Sequence, residues 1–197
     1  AAFFGLGGYL FAIPITEFGV TNVWFLFALA IIGTAIIGFI VSILTVRTRE
    51  VYFSILTLVW ALAILTIVEN IDITGAHDGF SLTLPNATLI PGLIDVSLYQ
   101  AEVVYYLSLF SLIAVFAVLY RLVNSPLGEV LKGGRTNMDR LRYIGFDERK
   151  FRVISFTVSC GVAGLAGALN ATATGYVSPS MMDFLLSGEV IVWTIIG

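Results

Sequence analysis

The chain's only histidine, His77, sits beside Asp78 and shortly ahead of Ser81 in the stretch TGAHDGFS. A carboxylate, an imidazole and a hydroxyl are the raw material of nucleophilic catalysis, and a histidine among acids is the raw material of a metal site. Both chemistries need more than adjacency. A nucleophile requires a base within reach and a third group to orient it, and Ser81 has no recognisable setting of that kind. A common zinc site draws several nitrogen or sulfur ligands together, which a lone histidine cannot do. Gly75 and Gly79 flank the pair, so a turn is the simpler account. Cys160, the single cysteine, excludes an internal disulfide and reads as a small buried hydrophobe within an apolar run.

The segments that hold these residues belong to a chain that is 58% hydrophobic and 12% charged over 197 residues, with a mean hydropathy of +0.99. Soluble domains lie far from these values, because a soluble core of this size would leave large apolar faces in water. Lipid accepts helices that are apolar all round, so the chain reads as a membrane protein. A net charge of −3 with few, localised cations excludes a surface that tracks nucleic-acid phosphates.

The apolar runs predict an all-α, polytopic integral membrane helical bundle with about five spans. Val23 to Val46 would make a helix of about 36 Å; Val51 to Val68 and Val103 to Tyr120 are each about 27 Å, just enough to cross. Val153 to Thr174 forms the fourth, rich in small residues, and a fifth opens near Leu185. Continuous runs without alternation disfavour a barrel wall. The chain has no initiator methionine, opens in AAFFGLGGYLFAI without a signal peptide's basic flank, and stops at VIVWTIIG within an apolar run. It is accordingly expected to be a fragment, cut at both ends, of a longer protein.

Charge sets the expected topology. Eight of the ten Lys and Arg residues lie between Arg121 and Arg152, and the other two are Arg47 and Arg49. The remaining connections carry only acids, so both cationic loops fall on one side, which the positive-inside rule makes cytoplasmic. The connection from Glu69 to Glu102, with Pro85 and Pro91, then faces outward. Asn86-Ala-Thr88 within it matches a glycosylation acceptor pattern; Asn170-Ala-Thr172 matches too but falls in a span. Tyr105, Tyr106, Trp24, Phe25 and Tyr176 read as interfacial anchors.

Within residues 121–152, Ser125 followed by Pro126 is a helix start, with the Ser125 hydroxyl as N-cap, and Gly145 is a stop. Leu127, Val130, Leu131, Met138, Leu141 and Ile144 recur at three and four, giving an amphipathic helix that Gly133 and Gly134 divide in two. Such an element lies on anionic lipid or presents its face to a partner. In the fourth span, Gly161, Gly164 and Gly167 with neighbouring alanines give small-xxx-small spacings, the mark of close helix packing, either within the bundle or at a pore or subunit contact. Glu189 opens the last apolar run. It is either solvated at the interface or turned to a water-filled cavity, where it pairs with an ammonium group or another helix. Asp183 is expected in an outer loop.

Pro126-Leu127-Gly128, then Arg135 and Asn137, then Gly145 and SFTVSCGVAGLAGAL resemble the permease subunits of branched-chain amino-acid ABC importers, the LivM type. AAFFGLGGY, VYFSILTL, TGAHDG and TGYVSPSMMDFLLSGEV agree with that family in order along the chain. The first of these resembles the family's pattern just after a missing helix. The resemblance implies one permease domain over residues 1–197, with a cytoplasmic coupling loop at 121–152 and an external loop at 69–102. Pro126, Gly128, Arg135, Asn137, Arg140 and Gly145 would dock into ATPase subunits. Implied partners are ABC ATPases, a sister permease of the LivH type, a periplasmic or extracellular substrate-binding protein and the lipid of a prokaryotic inner membrane, with no nucleic acid and no cofactor or metal. No Gly-rich phosphate loop occurs, so ATP would be hydrolysed on another chain. A urea or short-amide permease of the same family, a membrane-embedded enzyme and a passive channel are the alternatives. The enzyme would need paired polar groups at matching depth, and the spans hold few.

Overall fold

The computed structural model describes residues 1–46, 48, 50–75, 77–82, 86–90, 94–97, 100–126, 128–130, 133 and 148–197. Helices α1 (Ala2–Phe18), α2 (Val23–Thr45), α3 (Glu50–Glu69), α4 (Ala101–Val123), α5 (Glu148–Thr174) and α6 (Phe184–Ile196) carry most of them. Four, α2 to α5, contain stretches long and apolar enough to cross a membrane, whereas α1 and α6 are shorter apolar helices. With the all-α architecture this makes the chain a multi-pass membrane protein.

Local chemistry fixes the ends. Asn22 caps α2, its side-chain oxygen accepting from the Phe25 N–H at 3.4 Å. Helix α1 stops at Gly19, whose φ of 59° is left-handed and turns its N–H back to the Pro14 carbonyl. Helix α5 begins at Glu148, inside the basic stretch and earlier than the expected Val153.

One helix was not anticipated as such. The opening stretch, expected only to follow a missing helix, folds into α1 and belongs to the core: Tyr9, Phe11, Ala12 and Ile15 are buried with Leu26, Phe27 and Ala30 of α2 and Ala168 and Ala171 of α5. The Phe11 and Phe27 rings pack at a tilt, 5.0 Å between centroids. At the other extreme, α4 has no buried residue, and only Val103 and Leu107 lean on the core.

Small antiparallel pairings decorate one end of the bundle. Strand β1 (Phe80–Ser81) pairs with β4 (Tyr176–Val177), and β2 (Asn86–Ile90) with β3 (Ile94–Ser97). The β1–β4 pair ties the turn after α3 to the segment after α5.

Candidate functional site: the glycine seam and the returning segment

Helix α5 lies between α1 and α2, and the glycines flagged by spacing are where it touches them. A Cβ on Gly167 would land on the Phe4 carbonyl of α1, and one on Gly164 would overlap the Thr34 side chain of α2. The contact is reciprocal, since a Cβ on Gly7 would strike the Gly164 backbone. Gly161 is looser: its Cβ would stand 3.5 Å from the Ile31 carbonyl and 3.6 Å from the Ala35 methyl. In hydrocarbon, where no water is released on contact, such backbone approaches are the chief source of helix–helix attraction.

The face α2 offers to the seam is built the same way. Ala30, Thr34, Gly38 and Ser42 repeat at four and are all buried. Thr34 donates to the Ala30 carbonyl at 2.6 Å, and Thr45 to the Val41 carbonyl at 2.6 Å, so these hydroxyls are satisfied within their own helix. Gly38 gives room to Cys160, which is buried, in agreement with its reading as a small hydrophobe. The four-residue spacing on α2 was the available signal for this partner face, and it was visible in the sequence.

Beyond Thr174 the chain does not simply leave. Gly175, with φ 64°, ends the helix; β4 follows, then a 3-10 turn at Pro179–Met182, then Asp183 in extended conformation at the start of α6. Val177, Ser178, Pro179 and Met182 are buried. Met182 packs where a Cβ of Gly5 would be, and Gly5 adjoins Phe4, whose carbonyl faces Gly167. The segment has thus folded back against α1 and α5, with Met181 Sδ accepting from the Asn170 amide at 3.7 Å, before α6 begins. Asp183, expected as an outer-loop residue, is exposed and stands at this junction, while Glu189 is exposed on α6.

The turn around His77 clasps this segment. Gly79, at φ 68°, packs so closely that a Cβ would meet the Val177 carbonyl. The Tyr176 hydroxyl donates to the Asp78 carbonyl, the Leu82 N–H to Gly175 O at 2.8 Å, and the Phe80 ring lies 6.1 Å from that of Tyr9. Tyr176, expected as an interfacial anchor, is therefore part of the clasp. His77 stands 3.8 Å from Glu69 and is largely exposed; Ser81 is an exposed strand residue, and no acid, cysteine and histidine cluster suited to a metal occurs among the described residues.

Of the expected docking positions, Pro126 and Gly128 are described, and Arg135, Asn137, Arg140 and Gly145 lie outside the described residues. A helical turn does begin at Pro126, but the expected N-cap differs. The Ser125 hydroxyl donates backward to the Leu122 carbonyl at 2.6 Å, while its carbonyl accepts from Gly128 at 2.8 Å and Glu129 at 3.1 Å. The hydroxyl thus extends the end of α4 rather than opening the next helix. Gly128 packs against the Val123 backbone, which admits no side chain there.

Apolar helices welded through glycines, with a non-helical segment folded back among them, make a closely packed polytopic membrane bundle. The model of the branched-chain amino acid transport system / permease component family matches residues 1–197, and the chain belongs to that family. It is 27% identical over 215 residues to the high-affinity branched-chain amino acid transport system permease protein LivM of Escherichia coli (strain K12), covering 99% of this chain and 50% of that protein. The LivM of Salmonella typhimurium matches to the same extent. A probable branched-chain amino acid transport permease protein LivM of Methanocaldococcus jannaschii is 29% identical over 151 residues, 74% of this chain and 42% of that one. The chain spans about half the length of the curated relatives it matches. No solved structure matches it.

Proposed function

We propose that this chain is part of the permease subunit of an ATP-driven importer for branched-chain amino acids, in a prokaryotic inner membrane. The observation that carries the reading is the family match along the whole of residues 1–197, together with cations confined to two connections. On this reading Arg47, Arg49 and residues 121–152 face the cytoplasm, and the loop at 69–102 faces outward. The 121–152 loop, through Pro126, Gly128, Arg135, Asn137, Arg140 and Gly145, docks into a separate ATPase subunit. A sister permease of the LivH type completes the passage, and a soluble binding protein delivers substrate to the clasp end. The chain itself does no chemistry. It converts closure of the ATPases into a rearrangement of packed helices, and the glycine seam of α1, α2 and α5 is the rigid body that moves.

Purification of the full protein from its own membrane tests this directly. Two ATPases and a second permease should accompany it, and reconstituted vesicles should take up leucine only with ATP. Uptake of urea in place of leucine would favour the amide-permease alternative, and flux independent of ATP would refute the importer. Cysteines at positions 47 and 140 should be labelled from the same face of intact vesicles; labelling from opposite faces overturns the topology.

A further inference from the structure

Helix α4 leaves the end of the bundle that carries the small strand pairings and finishes at the opposite end, where α5 starts, with Arg121 in its last turn. Its half-buried residues run from Val103 through Leu107, Ser111 and Val115 to Leu122, one stripe at helical spacing along which it leans on the bundle. Both serines of the helix, Ser108 and Ser111, are among the half-buried residues, and the Ser108 hydroxyl is spent on the Tyr105 carbonyl at 2.9 Å. The exposed residues between Tyr106 and Tyr120 are without exception apolar, with Phe110, Leu112, Ile113 and Phe116 the most prominent.

Two helices associate in hydrocarbon through small residues that admit a neighbouring backbone, or through polar side chains that bond across the contact. The open face of α4 offers neither: it has no polar side chain, and no two of its residues are small at a spacing of four. Its ends, in contrast, are those of a helix against lipid. Exposed tyrosines stand at both, Tyr105 and Tyr106 at one and Tyr120 at the other, and the stretch from Tyr106 to Tyr120 is about 21 Å long. Just outside them, Glu102 and Arg121 are about 28 Å apart along the axis, close to a hydrocarbon thickness of about 30 Å.

The two ends differ in charge. From Arg121 to Arg152 the chain holds eight cations and four acids, and Arg149, Lys150 and Arg152 open α5 at the same end as Arg121. The connection from Glu69 to Glu102, at the other end, holds five acids and neither lysine nor arginine. We propose that the open face of α4 is covered by bilayer lipid, and that its Arg121 end holds an anionic phospholipid. The net negative headgroup answers the surplus of cations beside Arg121, Tyr120 lies at headgroup level, and the acyl chains run along Phe116 and Ile113. Helix α4 is then part of the protein's perimeter, and the sister permease proposed above meets this chain elsewhere.

The test uses the complete protein with the subunits that purify with it, in vesicles of equal parts phosphatidylglycerol and phosphatidylcholine bearing the same acyl chains. Phe116→benzoylphenylalanine, a photoreactive replacement on the exposed face, should capture phospholipid on irradiation and no polypeptide. Tyr120→benzoylphenylalanine should capture phosphatidylglycerol over phosphatidylcholine at least fivefold, and Tyr106→benzoylphenylalanine, near Glu102, should show no such preference. Arg121→Gln should lower the ratio at position 120 about fivefold, the worth of one cation near an anionic surface, and Arg121→Lys should keep it. Capture of a polypeptide, or of no lipid, from position 116 overturns the lipid-covered face. A ratio near one at position 120, or a ratio that Arg121→Gln leaves unchanged, overturns the anionic site.

Discussion

Helices α2 and α4 each have 23 residues and each is apolar nearly throughout, yet nine residues of α2 are buried and none of α4 is. Hydrophobicity does not separate them, because lipid and protein interior are equally apolar. Residue size does. The buried stripe of α2 runs through Ala30, Thr34, Gly38 and Ser42, which let a neighbouring backbone approach, whereas α4 presents Tyr105, Tyr106, Phe110, Phe116 and Tyr120 outward. Large side chains are buried as well, Leu26 and Phe27 of α2 among them, but it is the run of small ones that lets a neighbouring backbone come close, and α4 presents no such run to the core.

The sharpest break of this contrast is steric. Gly167→Leu drives a side chain into the Phe4 carbonyl, and Gly164→Leu drives one into Thr34, so each is expected to cost about 3 kcal/mol or more. The same enlargement at the exposed Ala117 of α4 should stay within about 0.5 kcal/mol. Thermal unfolding in detergent, followed by the monodisperse fraction, measures both. Equal losses at Gly167 and Ala117 would mean that α4 is as tightly held as α5.

The same property decided what could be read in advance. The spans, their order and the glycines of α5 were legible, since length, apolarity and small-xxx-small spacing are local. Helix α1 was not recognised, because at 17 residues it falls short of a full crossing, although Gly5, Gly8 and Ala12 recur at three and four and carry the same small-residue signal as α5. The return of residues 175–183 beside Gly5 was not legible either: it depends on Met182 finding the space that a glycine elsewhere leaves, a contact with no local trace. Ser125 misled for the opposite reason, since a hydroxyl at a helix boundary can bond in either direction and here bonds to Leu122.

Outside the bundle, the clasp extends the rule from helices to turns. Gly79→Ala puts a methyl toward the Val177 carbonyl in a left-handed conformation and is expected to cost about 1–2 kcal/mol. Tyr176→Phe, which removes only the bond to the Asp78 carbonyl, should cost about 1 kcal/mol. Limited proteolysis between residues 72 and 82 reads the loosening, and Gly79→Ala should be the more susceptible. Within the seam a subtler change separates shape from polarity. Thr34→Val keeps the volume against Gly164 and deletes a hydroxyl bonded only within α2, so its cost should remain below about 1 kcal/mol, measured by the same unfolding assay.

The smallest effect belongs to the pair that looked most like chemistry. Glu69 and His77 are 3.8 Å apart, with 29% and 76% of their side chains exposed, so water competes for both partners and their attraction is screened. A double-mutant cycle of Glu69→Gln and His77→Gln should return a coupling below about 0.5 kcal/mol, and, on the importer proposed above, ATP-dependent uptake should be unchanged. A larger coupling, or loss of uptake with His77→Gln alone, would show that the clasp senses charge. It would then no longer be held mainly by the close backbone approach at Gly79, and the rule drawn from α2 and α4 would stop at the membrane surface.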